Sequence, residues 1–249
     1  MTMRLRELPK CVADFCYPPI CALCGGAGIS PPLCENCNAD LRRLAIATAC
    51  GSCGYPLVHI GDPCPHCHGK GIAPIQRVAR LGVFSDPLRT LVHRMKYRHG
   101  WPFAELLADR LAAHDPAKTV LEQSDCLVAI PLHPLRQWGR GYNQAAVIAE
   151  RLGHRCKKPM RTPLVRLRNT HSQTTLHAQA KRFENLRDAF GLIDGKCVRG
   201  QRVVLVDDVM TTGATLRSAA RTLLKAEPAG IDVLVVAVAD PKGRAYEAI

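Results

Sequence analysis

Aromatic residues make up only 5% of this 249-residue chain, and the 21 acidic residues are outnumbered by 34 Lys and Arg. No apolar stretch approaches the ~18 to 20 residues that cross a bilayer. The opening residues, MTMRLRELPKCVADFCYPPI, lack the continuous apolar core of ~7 to 15 residues that marks a secretory leader. These absences argue against a helical membrane protein and a secreted one, and the expectation is a soluble, cytoplasmic chain. With 47% hydrophobic and 22% charged residues, the composition is that of an ordinary globular protein. The length suits one sizeable core and a small accessory domain.

The net charge of +13 is unevenly spread. Residues 1–75 carry six Lys and Arg against five Asp and Glu, a balance of +1. Residues 136–202 carry fifteen against four, a balance of +11. A basic excess focused on one segment suits an anionic ligand, either a phosphate compound or nucleic acid. Trp138, Tyr142, Phe183 and Phe190 are few aromatics for base stacking along such a segment.

Cysteine is the opposite of scarce. Ten of the 13 cysteines precede residue 68, and eight of these form four Cys-x-x-Cys pairs: Cys21 and Cys24, Cys34 and Cys37, Cys50 and Cys53, Cys64 and Cys67. In a chain without a leader such pairs read as metal ligands rather than disulfides. Two thiolate pairs complete one tetrahedral Zn²⁺ site, so four pairs make two. Sequential pairing is the simplest arrangement. Interleaved pairing and an iron–sulfur cluster stay open on spacing alone. With every ligand position filled by sulfur, each site would be closed and structural. A segment this short has little core of its own, so bound metal would stabilise its fold. Cys11 and Cys16 have no such spacing and are read as packing residues. Composition therefore divides the chain into a cysteine-rich double ribbon, residues 1–75, and a second domain, residues 76–249.

From residue 76 the pattern alternates between strands and helices. QRVARLGVF, CLVAIP, RVVLV and IDVLVVAVA read as strands. DPLRTLVHRMKYRHG, WPFAELLADRLAAH, NQAAVIAERLGHR and ATLRSAARTLLKA read as helices, with Asp86 a candidate cap and Gly100 a stop for the first. Near-continuous apolar strands alternating with helices predict an α/β fold, a mainly parallel sheet covered on both faces. Ligands of such sheets bind at the carboxyl ends of the strands. There, in VVLVDDVMTTGATL, Asp207 and Asp208 stand at the expected end of an apolar strand, followed by Thr211, Thr212, Gly213, Ala214 and Thr215.

This stretch resembles the phosphoribosyl pyrophosphate (PRPP) motif of type I phosphoribosyltransferases: apolar strand, two acids, two variable residues, then Thr-Thr-Gly-x-Thr. With four Cys-x-x-Cys pairs ahead of it, and with HRMKYRHG, IPLHPLRQWGRGYNQA and RNTHSQTTLHAQAKRFENLRDAF, nearly the whole chain resembles the ComF/GntX family of competence-associated, phosphoribosyltransferase-like proteins. The resemblance implies a type I phosphoribosyltransferase-like fold, Mg²⁺-PRPP as ligand, and a role in DNA uptake and natural transformation with single-stranded DNA or uptake proteins as partners.

The chemistry suits the residues. Asp207 and Asp208, the expected catalytic pair, can accept hydrogen bonds from ribose hydroxyls or metal-bound water, and their charge favours a ribosyl cation at C1. Thr211 to Thr215 offers main-chain N–H groups, hydroxyls and a helix N-terminus to the 5′-phosphate, with Gly213 permitting close approach. Lys96 and Tyr97 match the family's pyrophosphate-loop region. Arg136 and Arg140, with Gly141, Asn143 and Gln144, form a second polar cluster, and Arg182 and Asn185 lie in a polar stretch suited to a closing loop. His133, His171 and His177 are weaker candidates for proton transfer. Thr211 stands where 6-oxopurine phosphoribosyltransferases carry an Asp that handles the base proton, so the resemblance names the donor and leaves the acceptor open. A working transferase, a non-catalytic PRPP or nucleotide sensor, and a single-stranded DNA accessory are the three readings the sequence supports.

Overall fold

The computed structural model describes residues 20–26, 32–46, 48–59, 61–97, 100–169 and 189–239. Residues 1–44 and 45–249 form two compact units. In the smaller, the turn at Cys21 and Cys24 is closed by Gly25 N–H donating to Cys21 O at 2.9 Å, and Ala22 N–H reaches Pro32 O at 2.8 Å. Helix α1 (Glu35–Ile46) follows, with Leu41 buried.

The larger unit is built on a five-stranded sheet in the order β1-β7-β6-β2-β3, parallel at every pairing. The strands are β1 (Val78–Val83), β2 (Cys126–Ala129), β3 (Met160–Arg161), β6 (Arg202–Met210) and β7 (Gly230–Val238). A separate antiparallel pair joins β4 (Leu164–Arg166) to β5 (Phe190–Leu192). All positions of β1 and β7 are buried, as expected of strands covered on both faces. Val203, Leu205, Val233 and Val235 share one buried cluster with Leu216, Ala219 and Leu223 of α7 (Ala214–Leu224). The alternate residues Val204, Val206, Leu234 and Val236 are equally buried and lie outside that cluster. Period-two alternation assigns them to the face covered by α3 (Trp101–Ala112) and α6 (Gln144–Cys156).

At the first predicted helix the local signals differ from the structure in two ways. The first predicted helix ends early: α2 runs Leu88–Met95, and Gly100 opens α3 instead of closing α2. Asp86 does not cap α2. It accepts from Thr90 Oγ1 at 2.6 Å and pairs with Arg89 at 3.0 Å, while Pro87 takes the N-cap position. Among the described residues no helix is long and apolar enough to cross a membrane.

The second cysteine group belongs to the larger unit. Cys53, Cys64 and Cys67, with Ile72 and Ile75, are part of the same buried cluster as α7 and the sheet.

On the other face, Asp109 of α3 receives both Arg151, at 2.9 Å through two parallel bonds, and Arg155 at 2.7 Å, both from α6. The bonds from Arg151, then those from Arg155, hold its carboxyl down at about 2 despite partial burial. A depressed carboxylate stabilises the fold fully above its unfolded pKa of ~3.9, and that contribution is lost as pH falls through the folded value. Asp109→Asn should therefore flatten the fall in Tm between about pH 4 and pH 2. An acid slope equal to that of the wild type would overturn this assignment.

Candidate functional site

The strand carrying Asp207 and Asp208 is longer than the apolar run suggests. Pairing with β2 stops at Val206, whose carbonyl accepts Ile130 N–H at 2.9 Å. Pairing with β7 continues through Asp207, Val209 and Met210. One side of β6 thus stays in the sheet while the other overhangs the end of β2, and the two aspartates occupy that overhang. Their own carboxylates serve the adjoining main chain: Asp207 Oδ1 accepts Asp208 N–H at 2.9 Å, and Asp208 Oδ1 accepts Val209 N–H at 2.6 Å.

Because the strand does not turn at the pair, the two side chains follow strand alternation. Asp208 takes the α3–α6 face and meets Lys96 Nζ at 3.2 Å. Lys96 is the C-cap of α2, and the preceding residue is held in place by Tyr142, whose hydroxyl donates to Met95 O. Burial, and next Asp208, push the Tyr142 phenol up to about 12 against the pull of Arg140. Asp207 takes the other face, towards Arg166 of β4. Burial and then the Asp208 charge raise the Asp207 carboxyl to about 7, against the hydrogen bond from Asp208 N–H and the charges of Lys96 and Arg166. Among the described residues one cation, Lys96, pairs directly with the two adjacent carboxylates, and it does so at Asp208.

The Arg-Gly-Tyr-Asn-Gln stretch closes one wall. Asn143 caps α6, its Oδ1 accepting Ala145 N–H at 3.1 Å, while its Nδ2 donates to Ile130 O at 3.0 Å just beyond β2. Arg140 Nη1 donates to Gln144 Oε1 at 3.2 Å, and Arg136 Nε to Asn169 Oδ1 at 3.1 Å. Arg136 is lowered by burial and by Arg140 beside it; Arg166 is lowered by burial and by Arg136, and feels Asp207. Lys96 and Arg166 thus flank the two carboxylates, with Arg136 beside Arg166 and Arg140 beside Arg136 and Tyr142. Arg166 is the residue that sequence reading missed. It is 8% exposed with its guanidinium 5.4 Å from the Phe190 ring centroid, and nothing in the local pattern PLVRLRN separates it from a surface arginine.

After Met210 the chain bends into α7. Gly213 has φ +70°, the left-handed region that favours glycine. Ala214 N–H points to Thr212 Oγ1 at 3.4 Å. Thr211 is exposed, Thr212 and Thr215 are half-buried, and Ala214 turns its methyl into the core. Tyr97 is 70% exposed, and its main chain accepts Gly100 N–H at 3.0 Å. Cys11, Cys16, His171, His177, Arg182 and Asn185 lie outside the described residues.

Two four-sulfur groups form, and the pairing is sequential: Cys21, Cys24, Cys34 and Cys37; then Cys50, Cys53, Cys64 and Cys67. Neighbouring sulfurs stand 3.8 Å apart at Cys24–Cys34 and Cys50–Cys67, and 3.6 Å apart at Cys53–Cys64. Zn–S bonds of ~2.3 Å set tetrahedron edges of about 3.8 Å, so both groups fit zinc. Burial pushes the Cys21 thiol up, but N–H groups of Cys24, Cys34 and Leu23 outweigh it and bring it to about 6.

Residues 139–247 match the phosphoribosyl transferase domain family. The chain is 32% identical over 198 residues to Competence protein F of Haemophilus influenzae, covering 78% of this chain and 84% of that protein. It is 32% identical over 227 residues to the DNA utilization protein YhgH of Escherichia coli strain K12, covering 87% and 95%. It is 27% identical over 198 residues to Competence protein ComFC of Bacillus subtilis, covering 78% of each. A purine phosphoribosyltransferase structure from Pyrococcus horikoshii aligns over 55% of this chain and 74% of its own at 18% identity, with a TM-score of 0.34. With a phosphoribosyl transferase domain and two four-cysteine clusters on one chain, and with these relatives matched over most of their length, the protein belongs to the ComF family.

Proposed function

We propose that the crevice at the end of β6 binds Mg²⁺-PRPP and transfers its phosphoribosyl group to an acceptor. The observation that carries this reading is the adjacent aspartate pair, overhanging the sheet, with Lys96 at Asp208 and directly followed by the Gly213 turn into α7. Two adjacent carboxylates need partners that a ribose diol supplies as hydroxyl donors. Thr212, Thr215 and the first N–H groups of α7 offer the 5′-phosphate donors and a favourable dipole. Lys96, Arg136 and Arg140 lie on the side suited to pyrophosphate, with Tyr97 and Arg182 as further candidates by family resemblance. Mg²⁺ held with the pyrophosphate would neutralise charge on the leaving group. As the C1–O bond to pyrophosphate breaks, positive charge grows on the ribose, and Asp207 and Asp208 stabilise it through space. In composition residues 1–75 remain a metal ribbon distinct from residues 76–249, and we place the protein in the cytoplasm.

Calorimetry should show PRPP binding that depends on Mg²⁺ and weakens by about 100-fold or more in Asp207→Asn/Asp208→Asn, which removes two charge-assisted acceptors. Unchanged affinity in that variant would sink the reading. Labelled PRPP incubated with cell extract separates the two functional alternatives. Release of pyrophosphate with a labelled product supports transfer, whereas tight binding without product selects a sensor.

The same proposal assigns one structural Zn²⁺ to each cysteine group. Purified protein should carry two zinc equivalents by elemental mass spectrometry. Cys24→Ser/Cys37→Ser should retain one. Iron in place of zinc, or fewer than two equivalents in freshly purified wild type, would contradict it.

A second reading is favoured by α5 (Pro134–Arg140), a short helix with no buried residue beside the crevice. Leu135 on it is 64% exposed, and Trp138, between Arg136 and Arg140 in the sequence, is 85% exposed. An exposed indole among cations suits stacking on a single-stranded base, worth ~1 to 3 kcal/mol. It agrees with the competence and DNA utilization names of the relatives. Fluorescence anisotropy with an oligothymidylate should give an affinity that falls with salt and drops about tenfold in Trp138→Ala. Binding indifferent to both would remove DNA as a partner.

A further inference from the structure

Residues 48–75 have almost no secondary structure to hold them. Two isolated bridges, Ala49 to Pro56 and Ile72 to Ile75, are the only sheet-like contacts among the described residues there. The segment is held by a main-chain bond and by the Arg80 side chain of β1, and its four sulfurs stand where a metal ion would cross-link it. Val78 N–H donates to Gly51 O at 2.7 Å. Arg80, 2% exposed, donates to Gly54 O at 2.8 Å and Thr48 O at 3.2 Å.

Fixed in this way, the segment presses on the turn that follows the two aspartates. Gly54, one residue past Cys53, has φ +70°, and a Cβ there would lie 2.9 Å from Val78 Cγ1, 3.1 Å from Val238 Cγ2 and 3.5 Å from Met210 Cε. Met210 is the last residue of β6. Ile72, five residues past Cys67 and 4% exposed, closes on the turn itself: a Cβ on Gly213 would lie 3.0 Å from Ile72 Cδ1 and 3.5 Å from Met210 Sδ. Both contacts leave no room for one more carbon. The turn above them is held by main-chain bonds at Met210 and Gly213, Met210 O accepting Ala239 N–H at 2.8 Å and Gly213 O accepting Arg217 N–H at 2.8 Å, and is looser between them. Gly213 is the residue with the most backbone freedom, and its neighbouring side-chain bond, Thr212 to Ala214 N–H, is long at 3.4 Å.

We propose that the second cysteine group, through Ile72 and Gly54, acts as the positioning wall of the Met210–Thr215 turn, so that its metal sets the affinity of the turn for the donor's 5′-phosphate. Ile72 and Met210 are positioning residues in this scheme, since they touch the turn and not the ligand. Loss of the metal frees the chain from Cys50 to Cys67, releases Ile72, and leaves a gap beneath Gly213 into which the turn relaxes. The order of events runs one way: the aspartates and Lys96 can stay in register on the sheet while the phosphate end of the crevice loosens. The proposal rests on the donor reading given above.

The test uses the full-length protein with its metal content measured in each sample. Ile72→Ala shortens the wedge without touching a cysteine, Ile72→Val does so mildly, and Val58→Ala alters an exposed ribbon residue as a control. Hydrogen exchange of the 210–216 amides is followed without ligand, and Mg²⁺-PRPP binding by calorimetry. Ile72→Ala should retain its full zinc, exchange those amides about tenfold faster and bind PRPP about tenfold more weakly, with Ile72→Val between it and the wild type. Chelating the metal from wild type should reproduce both changes, and Val58→Ala should show neither. Exchange and affinity within twofold of wild type in Ile72→Ala, at equal zinc, would overturn the proposal. So would faster exchange with unchanged affinity. If wild type binds no PRPP while Ile72→Ala still speeds exchange, the donor reading fails and the wall stands as a structural device.

Discussion

The structure turns on the unequal length of two neighbouring strands. β6 keeps β7 beside it as far as Met210 but loses β2 after Val206. Beyond that point one side of the strand faces the crevice with main-chain groups that require partners, and apolar residues cannot supply them. Asp207 and Asp208 do, each accepting the N–H of the following residue. Two acids in succession are thus a local answer to a backbone demand as well as a source of charge. Their mutual repulsion is contained by Lys96 and by the sheet on the opposite side, which fixes both positions regardless of charge.

The same overhang needs support from below. The ribbon segment packs beneath it with little secondary structure, its four sulfurs gathered where a metal ion could bind. In the smaller unit the four-sulfur group closes turns around the start of a helix, with Cys24 exposed and Cys34 and Cys37 half-buried. In the larger unit Cys53, Cys64 and Cys67 are buried against the core of the sheet. Two groups with equal ligand chemistry therefore have different structural weight. A buried sulfur cluster with no cation would leave thiols packed against one another, whereas a cation at its centre makes a cross-link over a stretch with little core of its own.

Much of this was legible in the sequence. Four regular Cys-x-x-Cys pairs announce two sites, and unbroken runs such as LVVAV announce strands buried on both faces, because spacing and hydropathy are local properties. The sequential sulfur pairing agrees with the simplest reading of the spacing. What escaped was non-local. RVVLV ends where its apolar residues end, but β6 ends where β7 stops pairing with it, four residues later. Lys96 was singled out by its motif, yet its contact with Asp208 depends on Tyr142 holding the end of α2, an interaction that joins three segments. Arg166 gave no signal because its role comes from the β4–β5 pair placing it beside Asp207. The packing of Ile72 on Gly213 is equally silent, since an isolated isoleucine after a cysteine pair has no pattern.

The charge pattern also reads differently in three dimensions. Along the chain, residues 136–202 form one basic block, but the fold disperses it. Arg151 and Arg155 are engaged by Asp109 on the α3–α6 face. Lys158 donates to Ser124 O, just before the amino end of β2. Arg199 pairs with Glu227, and Arg202 lies near Asp232 at the start of β6, the end of the sheet away from the crevice. Among the described residues of the block, Arg166 lies towards Asp207 with Arg136 and then Arg140 next to it, and Lys96 reaches Asp208 from outside it. Among the described residues Lys96 pairs directly with Asp208, and Arg166 adds positive charge towards Asp207. On the reading proposed above, such a crevice suits a compact ligand that brings several phosphate charges and its own hydroxyls. A strand of nucleic acid would need contacts spread further along the surface, and the exposed α5 with Trp138 is the element placed to begin them.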